Sequence, residues 1–495
     1  MEFKVTSNKS DGRKIIEKFF PSAFTKINSC STTEFVAIDA LQALMGIGIE
    51  THKSTGRDCV IRCARLAKQA MNDGATCVAL CFDQQKYVPI AKGAEQSLRT
   101  TAAIAKAQDK TICDDESSTP LKTSYKDGEF GALSANKYLP DDFTEGLQDR
   151  DGYRRNVIRF VVTEWIKSAD PEMRLQPKSD CSILITGHCC DTQVIREQLW
   201  TEIESLGLKE GDDPEEYPLL IEQDTYKIKT DMRNFIGEGE MQFFYLLQKI
   251  KPKNALLIST DTDVLFLALL YIRKYSLDQE NVICWRYDAR SPVKLFCDIG
   301  KLYLDICKGK LDKAYQAQSG YPLTDMTKWT DPIIMLAAAQ ALAGTDYTQG
   351  YYTLTHESVF TCLMATADKL GSFLIDERPN PRAYIKLVIA SWIYARDGKQ
   401  ALTPQEDTDE AWQAMAMNAY KLTSHRAMKQ RFPHPELNAG HFRARALRWC
   451  YYLNMIMQVG ESELKLPQEL KNWGYGPQAK DEVITHANVF PLIEV

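Results

Sequence analysis

Residues 254–269 of the 495-residue chain read NALLISTDTDVLFLAL, and this stretch decides the fold. The apolar run 255–258 is bounded by polar residues, which predicts a short buried strand of a parallel sheet. Asp261 and Asp263 follow at the carboxyl end of that strand, where open α/β sheets place their sites. If the segment stays extended, residues i and i+2 project to the same side, so the two carboxylates can converge. The alternative is a strand-to-helix turn in which Asp263 caps a helix.

Two more strand-like runs carry an acid at their end. Residues 35–41 read FVAIDAL and contain Asp39, and residues 77–83 read CVALCFD and end in Asp83. A buried carboxylate without a partner is costly, so each of these acids needs either a cation or a local hydrogen-bonding role. Helix capping is the simpler of the two interpretations.

Two helix ends complete the acidic set. The segment 235–240 reads FIGEGE and places Glu238 and Glu240 at a helix start. The helix dipole alone favours carboxylates there, but the glycines also allow backbone or a ligand to approach closely. A strongly apolar, buried helix is predicted at 331–343, and Asp346 follows its end.

Together these motifs predict a metal site made of carboxylates. Seven acids delivered to one edge of a parallel sheet could not all ionise without cations between them. Oxygen ligands without histidine or cysteine favour Mg²⁺, for which Mn²⁺ can substitute. Two such ions about 4 Å apart suit hydrolysis of a phosphodiester, because one activates water and the other stabilises the leaving oxygen. The predicted ligands are Asp39, Asp83, Glu238, Glu240, Asp261, Asp263 and Asp346.

The composition bounds the class of protein. The length favours about three domains, and contents of 44% hydrophobic and 25% charged residues are ordinary for a globular protein. No apolar run reaches transmembrane length, and residues 1–4 do not begin a signal peptide. Fourteen cysteines without a spaced framework predict reduced core thiols rather than disulfides or zinc ligands. The net charge of −6 does not indicate a polyanionic substrate, which would require local basic patches and metal ions.

The acidic motifs resemble, in order and context, those of the structure-specific 5′ nucleases of the flap endonuclease group, within the PIN-like fold. The resemblance covers about 35–105 and 235–350 and implies that the seven acids form the metal shell. The matching pieces are VAIDA at 36–40, FD at 82–83, GEGE at 237–240, STDTD at 259–263 and GTDY at 344–347.

The same resemblance implies a set of catalytic cations. Lys92 and Arg99 lie downstream of Asp83, and they are expected to contact the scissile phosphate from the base of a helical arch. Lys86 competes with Lys92 for this role, because the spacing from Asp83 is not identical to that of the family.

The resemblance further implies an α/β protein with a PIN-like three-layer α/β/α nuclease core, a central, mostly parallel sheet, an elaborated arch insertion and a helical C-terminal region. The spacing of 155 positions between Asp83 and Glu238 exceeds what compact members need, which fits a divergent member such as a virus-encoded one. A helix-two-turn-helix that grips duplex through bound K⁺ is expected within 348–370, although Gly350 alone represents its glycine-rich hairpin. The predicted divisions are 1–99 and 235–370 for the core, 100–234 for the arch region and 371–495 for the C-terminal region.

A basic patch is predicted in the C-terminal region. Residues 421–450 contain seven basic side chains and one acidic side chain, for a net charge of +6. His425, Phe432 and Trp449 lie among them, and Tyr451 and Tyr452 follow. This mixture suits a patch for the phosphates of a nucleic acid, and the alternative is a solvated helix face. The predicted nucleic-acid-binding residues are Arg426, Lys429, Arg431, Arg443, Arg445 and Arg448.

The implied function is Mg²⁺-dependent hydrolysis of branched or 5′-ended DNA in replication, repair or recombination, inside the cell and away from membranes. One alternative is an RNase of the same fold, either a 5′-to-3′ exoribonuclease, which GEGE also resembles, or an mRNA endonuclease. A scaffold relative without turnover is the other. The retained acids argue against the scaffold, because an inactive descendant has no reason to keep uncompensated charge. The setting is the nucleus, the cytoplasm or, for a virus-encoded protein, a viral replication site.

Overall fold

A nine-stranded sheet and the helices on its two faces make up most of the structure, a computed structural model. The residues that it describes are 10–26, 33–46, 53–92, 134–140, 143–147, 152–190, 208, 211–223, 225–276, 282–287, 295–312, 323–348, 354–396, 401–412, 414–416, 439–467, 469–473 and 475.

The strands are short, and all but two belong to the large sheet. They are β1 (Phe24–Lys26), β2 (Phe35–Asp39), β3 (Cys77–Cys81), β4 (Ser182–Thr186), β5 (Leu219–Glu222), β6 (Thr225–Ile228), β7 (Asn254–Ile258), β8 (Val282–Arg286), β9 (Leu295–Asp298), β10 (Leu374–Ile375) and β11 (Arg378–Pro379). The strand order of the large sheet is β1-β9-β8-β7-β2-β3-β4-β5-β6, and β10 and β11 form a separate hairpin. The five central strands, from β8 to β4, run parallel, and the outer strands pair antiparallel.

The described helices are α1 (Ser10–Phe19), α2 (Ala40–Gly46), α3 (Gly56–Asn72), α4 (Phe143–Gly146), α5 (Tyr153–Lys167), α6 (Gly239–Ile250), α7 (Asp263–Tyr275), α8 (Ile299–Cys307), α9 (Pro332–Ala343), α10 (His356–Leu370), α11 (Pro381–Arg396) and α12 (Ala439–Ile456). None of the helices within these described ranges combines the length and the apolar character needed to cross a membrane.

Helices cover both faces of the sheet. In β2 every residue is buried, with Phe35 and Ala37 in the core under α6, α7 and α9. Val36 and Ile38 point into the opposite core, under α2, α3 and α5. A strand covered on both sides must be apolar throughout, which is why the central runs show no alternation. The predicted α/β class with a central, mostly parallel sheet is confirmed in this coarse form.

Part of the predicted arch region 100–234 belongs to the sheet itself. β4 pairs in parallel with β3, and β5 and β6 extend the sheet from there. The apolar run SILIT of β4 fits this covered position, because both of its faces lie in a core. The division at residue 100 therefore does not separate the sheet from an insertion, although 93–133 lie outside the described residues.

The segment after β7 differs from the extended geometry expected for it. Thr262 has helical backbone angles and precedes α7, which begins at Asp263. The Asp261 carboxylate accepts a hydrogen bond of 2.9 Å from the Asp263 amide, since aspartate side chains in turns commonly bond to the backbone amide two residues further on. The extended arrangement is therefore wrong, and the alternative of a strand-to-helix turn is confirmed, except that Thr262 rather than Asp263 is the residue before the helix. Both side chains nevertheless stay at the carboxyl edge of the sheet.

Two further predictions concern the cysteines and the helix-two-turn-helix expected within 348–370. Of the twelve cysteines in the described residues none is in a disulfide, and Cys59, Cys63 and Cys81 are buried in apolar surroundings, as predicted for core thiols. The predicted helix-two-turn-helix overlaps α10, which Thr355 caps. Gly350 lies outside the described residues, so this module stays a prediction.

Two backbone segments cross closely at the carboxyl edge. The Gly237 carbonyl accepts a hydrogen bond of 2.8 Å from the Gln84 amide. The buried Gln242 side chain donates to the carbonyls of Phe82, at 3.0 Å, and Ile236, at 3.1 Å. These bonds join the turn after β3 to the segment that enters α6, and both carry predicted site residues.

We expect Gly237→Ala to destabilise the protein by about 1–3 kcal/mol, the usual cost of overpacking. An added Cβ would lie 2.2 Å from the Val88 nitrogen and 2.3 Å from the Tyr87 carbonyl carbon. In the control variant Gly300→Ala, the Cβ would meet the Asp298 carboxylate at 3.6 Å, and alanine is the better helix former. The midpoint of urea unfolding measures both effects, and equal midpoints for the two variants would contradict the expectation.

Candidate metal centre

Seven acidic side chains meet at the carboxyl edge of the sheet, each brought there by the end of a strand or helix. β3, β2 and β7 are neighbours in the sheet, so their carboxyl ends lie side by side. The start of α6 and the end of α9 add the remaining acids. The set is Asp39 from β2, Asp83 after β3, Glu238 and Glu240 at α6, Asp261 and Asp263 between β7 and α7, and Asp346 after α9.

Three of these acids form the tightest group. One carboxylate oxygen from each of Asp83, Glu238 and Glu240 lies within 4.8 Å of the others. The group contains only oxygen donors, and among the described residues no histidine or cysteine belongs to a comparable cluster. Such a donor set suits a hard divalent cation.

The other acids surround this group. A cleft of about 40 Å³ is lined by Glu238, Glu240, Asp261, Asp263 and Asp346, which is room for more than one water-sized species. Asp39 lies close enough to Asp83 and Asp261 for their charges to act on it. The structure therefore brings together all seven acids that were predicted from the sequence as metal ligands.

Backbone and side-chain hydrogen bonds fix Asp39 and Asp83. Asp39 accepts from the Gln42 amide at 2.8 Å, and from the Ser259 hydroxyl at 3.4 Å. Asp83 accepts from the Gly239 amide at 3.0 Å, so it caps the first turn of α6 from another part of the chain. The Gln42 and Gly239 amides belong to the first turns of α2 and α6, where helix amides carry partial positive charge. All three bonds orient the carboxylates before any ligand arrives.

Glu238 is held through both of its carboxylate oxygens. It occupies the residue before α6 but makes no capping bond with its side chain. Instead, one oxygen accepts from the Tyr347 hydroxyl at 2.7 Å, and the other forms an ion pair with Lys92. Tyr347 is the last residue of GTDY, so this motif supplies both an acid and an anchor for a second acid.

The electrostatics reflect buried like charges. Burial, together with the neighbouring charges of Asp83 and Asp261, raises the pKa of Asp39 from 3.8 to about 7. Burial likewise raises the pKa values of Glu238 and Glu240. Protonation of these acids is the response to crowding when a cation does not neutralise them.

Lys92 keeps its charge in the same surroundings. Burial by itself lowers the pKa of its ammonium group, but the charges of Glu238 and Asp83 outweigh burial, so the pKa is raised overall. The ammonium is therefore positively charged, and Lys92 lines the cleft.

The two candidate lysines, Lys86 and Lys92, have different surroundings. Lys86 is half exposed and forms ion pairs with Asp213, at 3.2 Å, and Glu216, at 3.5 Å. It does not line the cleft, whereas Lys92 does. Arg99 lies outside the described residues.

Arg154 is a site residue that sequence reasoning missed. Its guanidinium is buried and lies 3.3 Å from an oxygen of Asp83. It stands at the start of α5 in the run Tyr153–Arg155, within the segment assigned to the arch region. No motif marks it, because its position depends on the contact between α5 and the turn after β3.

The predicted basic patch is only partly described. Arg445 and Arg448 are partly exposed on α12, and the Arg448 guanidinium lies 5.2 Å from the centre of the Tyr475 ring. Three aromatic residues of the same helix, Trp449, Tyr451 and Tyr452, are core residues, since each is at most 4% exposed. These three rings are therefore not part of an exposed basic and aromatic surface, and His425 and Phe432 lie outside the described residues. Outside the described residues lie Arg426, Lys429, Arg431 and the side chain of Arg443.

No protein-family model matches this chain, and no curated protein is found to match it. The fold and the site themselves define an α/β protein whose buried acidic cluster can hold a metal ion.

The raised pKa of Asp39 predicts a pH dependence. An unfolded chain loses this proton near pH 3.8 and the folded chain near pH 7, so the stabilisation present below about pH 4 is lost as the pH rises through 7. In EDTA we expect Asp39→Asn to raise the melting temperature relative to wild type at pH 8 more than at pH 5. Added Mg²⁺ should raise the wild-type value more at pH 8 than at pH 5.

Thermal unfolding of both proteins at the two pH values, with EDTA or Mg²⁺, measures this effect. Glu377→Gln is the control, because the Glu377 side chain is 80% exposed in the β10–β11 hairpin. If the difference in melting temperature between Asp39→Asn and wild type does not change with pH, Asp39 does not have the raised pKa assigned to it.

Proposed function

We propose that the protein is a Mg²⁺-dependent phosphodiester hydrolase, a flap-endonuclease-like 5′ nuclease with a PIN-like core that acts on branched or 5′-ended DNA. The observation that carries the proposal is the meeting of seven carboxylates from separate chain segments at one edge of a parallel sheet. Buried like charges oppose folding unless they are neutralised. Such an arrangement is therefore expected where a cation-dependent function maintains it.

The number and type of ligands support magnesium and more than one ion. Mg²⁺ takes oxygen ligands and commonly uses one or two protein carboxylates, so seven exceed what a single ion needs. The acids that would hold the ions are Asp39, Asp83, Glu238, Glu240, Asp261, Asp263 and Asp346. When bound, divalent ions supply Lewis-acid activation of water and of the phosphoryl oxygens.

The charges of the chain itself support cation-dependent binding of a polyanion. Among the described residues, Lys92 and Arg154 form ion pairs with acids of the set. These two cations do not balance seven carboxylates, so a phosphodiester would be repelled before metal binding. The need for metal therefore extends to substrate binding as well as to the reaction.

Lys92 is the described cation that we assign to the phosphate. Its ammonium group lines the cleft beside Glu238 and Asp346. It can therefore contribute positive charge where a phosphate meets the metal ligands, while Arg154 holds Asp83 from the side of α5. Both side chains keep acids oriented, and only Lys92 faces the cleft.

We expect Asp261→Asn to reduce Mg²⁺-dependent cleavage at least about a hundredfold, the scale on which single charged groups act in catalysis. The assay uses 5′-flap DNA and single-stranded RNA in parallel, with Glu377→Gln as the control. Full cleavage by Asp261→Asn would refute the nuclease assignment. A strong preference of the wild type for RNA would replace the DNA assignment with an RNase of the same fold.

A second prediction separates the two candidate lysines. Lys92→Met removes a buried cation among carboxylates, so cleavage of the 5′-flap substrate should fall about tenfold to a thousandfold. Lys86→Met removes an exposed surface pair, whose contribution is small, and should change the rate less than about threefold, or about 0.6 kcal/mol at most. Initial rates at saturating Mg²⁺ measure both variants. Equal losses would place Lys86 in the catalytic machinery.

A further inference from the structure

The C-terminal helix α12 forms part of the wall of the acidic cleft. Tyr452, Met455 and Ile456 line the cleft together with the carboxylates. These residues lie far beyond 235–350, the last part of the chain that the flap endonuclease resemblance covers. The motifs of that family therefore give this helix no role.

Tyr452 lines the cleft beside the predicted metal ligands Asp261 and Asp263. Its side chain is 4% exposed, and its hydroxyl lies close enough to the Asp263 carboxylate for the two groups to interact. Its ring packs on that of Tyr347, with 5.4 Å between the ring centres. Because Tyr347 donates to Glu238, the two tyrosines form a continuous connection between acids at the starts of α7 and α6.

Two other contacts fasten the C-terminal region to the same edge. The Phe235 amide, three residues before Glu238, donates to the Ser462 carbonyl at 2.8 Å. The Tyr475 hydroxyl donates to the Tyr347 carbonyl at 3.0 Å. The position of Tyr452 is thus fixed from the segment before α6, from the GTDY motif and from the packing of α12.

We infer that Tyr452 is a positioning residue of the metal centre, which holds the Asp263 carboxylate through its hydroxyl and ties it to Glu238 through Tyr347. A carboxylate that binds a metal through one oxygen is oriented by hydrogen bonds to its other oxygen, and loss of such a partner commonly lowers metal affinity about tenfold to a hundredfold. The inference rests on the metal-binding part of the proposed function, and it makes the C-terminal region a working part of that centre.

The test compares Tyr452→Phe with Tyr451→Phe in the full-length protein, by calorimetric titration with Mn²⁺ in the absence of nucleic acid. Tyr451 is a matched control, since it is buried in the same helix but its ring packs on Trp473 and Tyr475. We expect Tyr452→Phe to weaken the affected Mn²⁺ site roughly tenfold or more. Tyr451→Phe should bind Mn²⁺ as the wild type does.

A double-mutant comparison shows whether Tyr452 acts through Asp263. If it does, Tyr452→Phe combined with Asp263→Asn should bind Mn²⁺ no more weakly than Asp263→Asn alone. Unchanged Mn²⁺ affinity in Tyr452→Phe, equal losses in the two tyrosine variants, or additive losses in the double variant would each overturn the inference. Thermal unfolding of the metal-free variants identifies an affinity loss that comes from a damaged fold.

The experiments distinguish failure of the role assigned to Tyr452 from failure of the proposed nuclease function. A wild type that binds Mn²⁺ but cleaves neither DNA nor RNA would refute the nuclease and leave the role of Tyr452 standing. A Tyr452→Phe variant that binds Mn²⁺ normally would refute that role and leave the nuclease standing. No Mn²⁺ binding by the wild type would overturn both.

Discussion

Repulsion among buried carboxylates is the constraint on which the rest of this structure depends. Asp39, Asp83 and Glu238 are nearly inaccessible to water, and each is close to other acids, so solvent screening is weak there. The fold counters the repulsion with local positive charge, from the starts of α6 and α7 and from Lys92 and Arg154. This compensation is partial, as the raised pKa values of Asp39 and Glu240 indicate. Without a cation, the repulsion among these buried acids lowers the stability of the fold. A bound cation neutralises the acids and restores that stability.

The architecture explains how the acids can be held so close without collapse of the site. Parallel strands end at one edge in register, so β2, β3 and β7 deliver their acids from a rigid, fully covered sheet. The helix start that carries Glu238 is fastened to the turn after β3 by Gln242, and Gly237 permits the close crossing of the two segments. Rigid elements and short bonds together keep the carboxylates oriented against their mutual repulsion. This division between scaffold and site is what a preorganised metal centre requires.

Those parts of the site that lie within short sequence motifs can be predicted from the sequence alone. Acids at the ends of apolar runs are visible locally, and the geometry of parallel sheets predicts that they meet, which accounts for the convergence of Asp39, Asp83 and Asp261. Features that depend on distant contacts are not visible in this way. Arg154 reaches Asp83 because α5 packs beside β3, and β4 joins the sheet from a segment without a motif. The extended arrangement of Asp261 and Asp263 is wrong because a hydrogen bond from the Asp263 amide to the Asp261 side chain competes with extended structure.

The aromatic residues of α12 show why a basic and aromatic composition does not by itself define a binding surface. Such a run suits nucleic acid, but a helix that carries Trp449, Tyr451 and Tyr452 first buries these large rings, because they dominate core energetics. The Trp449 indole donates to the Ala338 carbonyl at 2.9 Å, which seats α12 on the buried helix α9. That seating brings Tyr452 to the carboxylates while Arg445 and Arg448 stay partly exposed. The same helix thus couples core packing to the metal ligands, so the C-terminal region cannot be treated as a separate nucleic-acid-binding module.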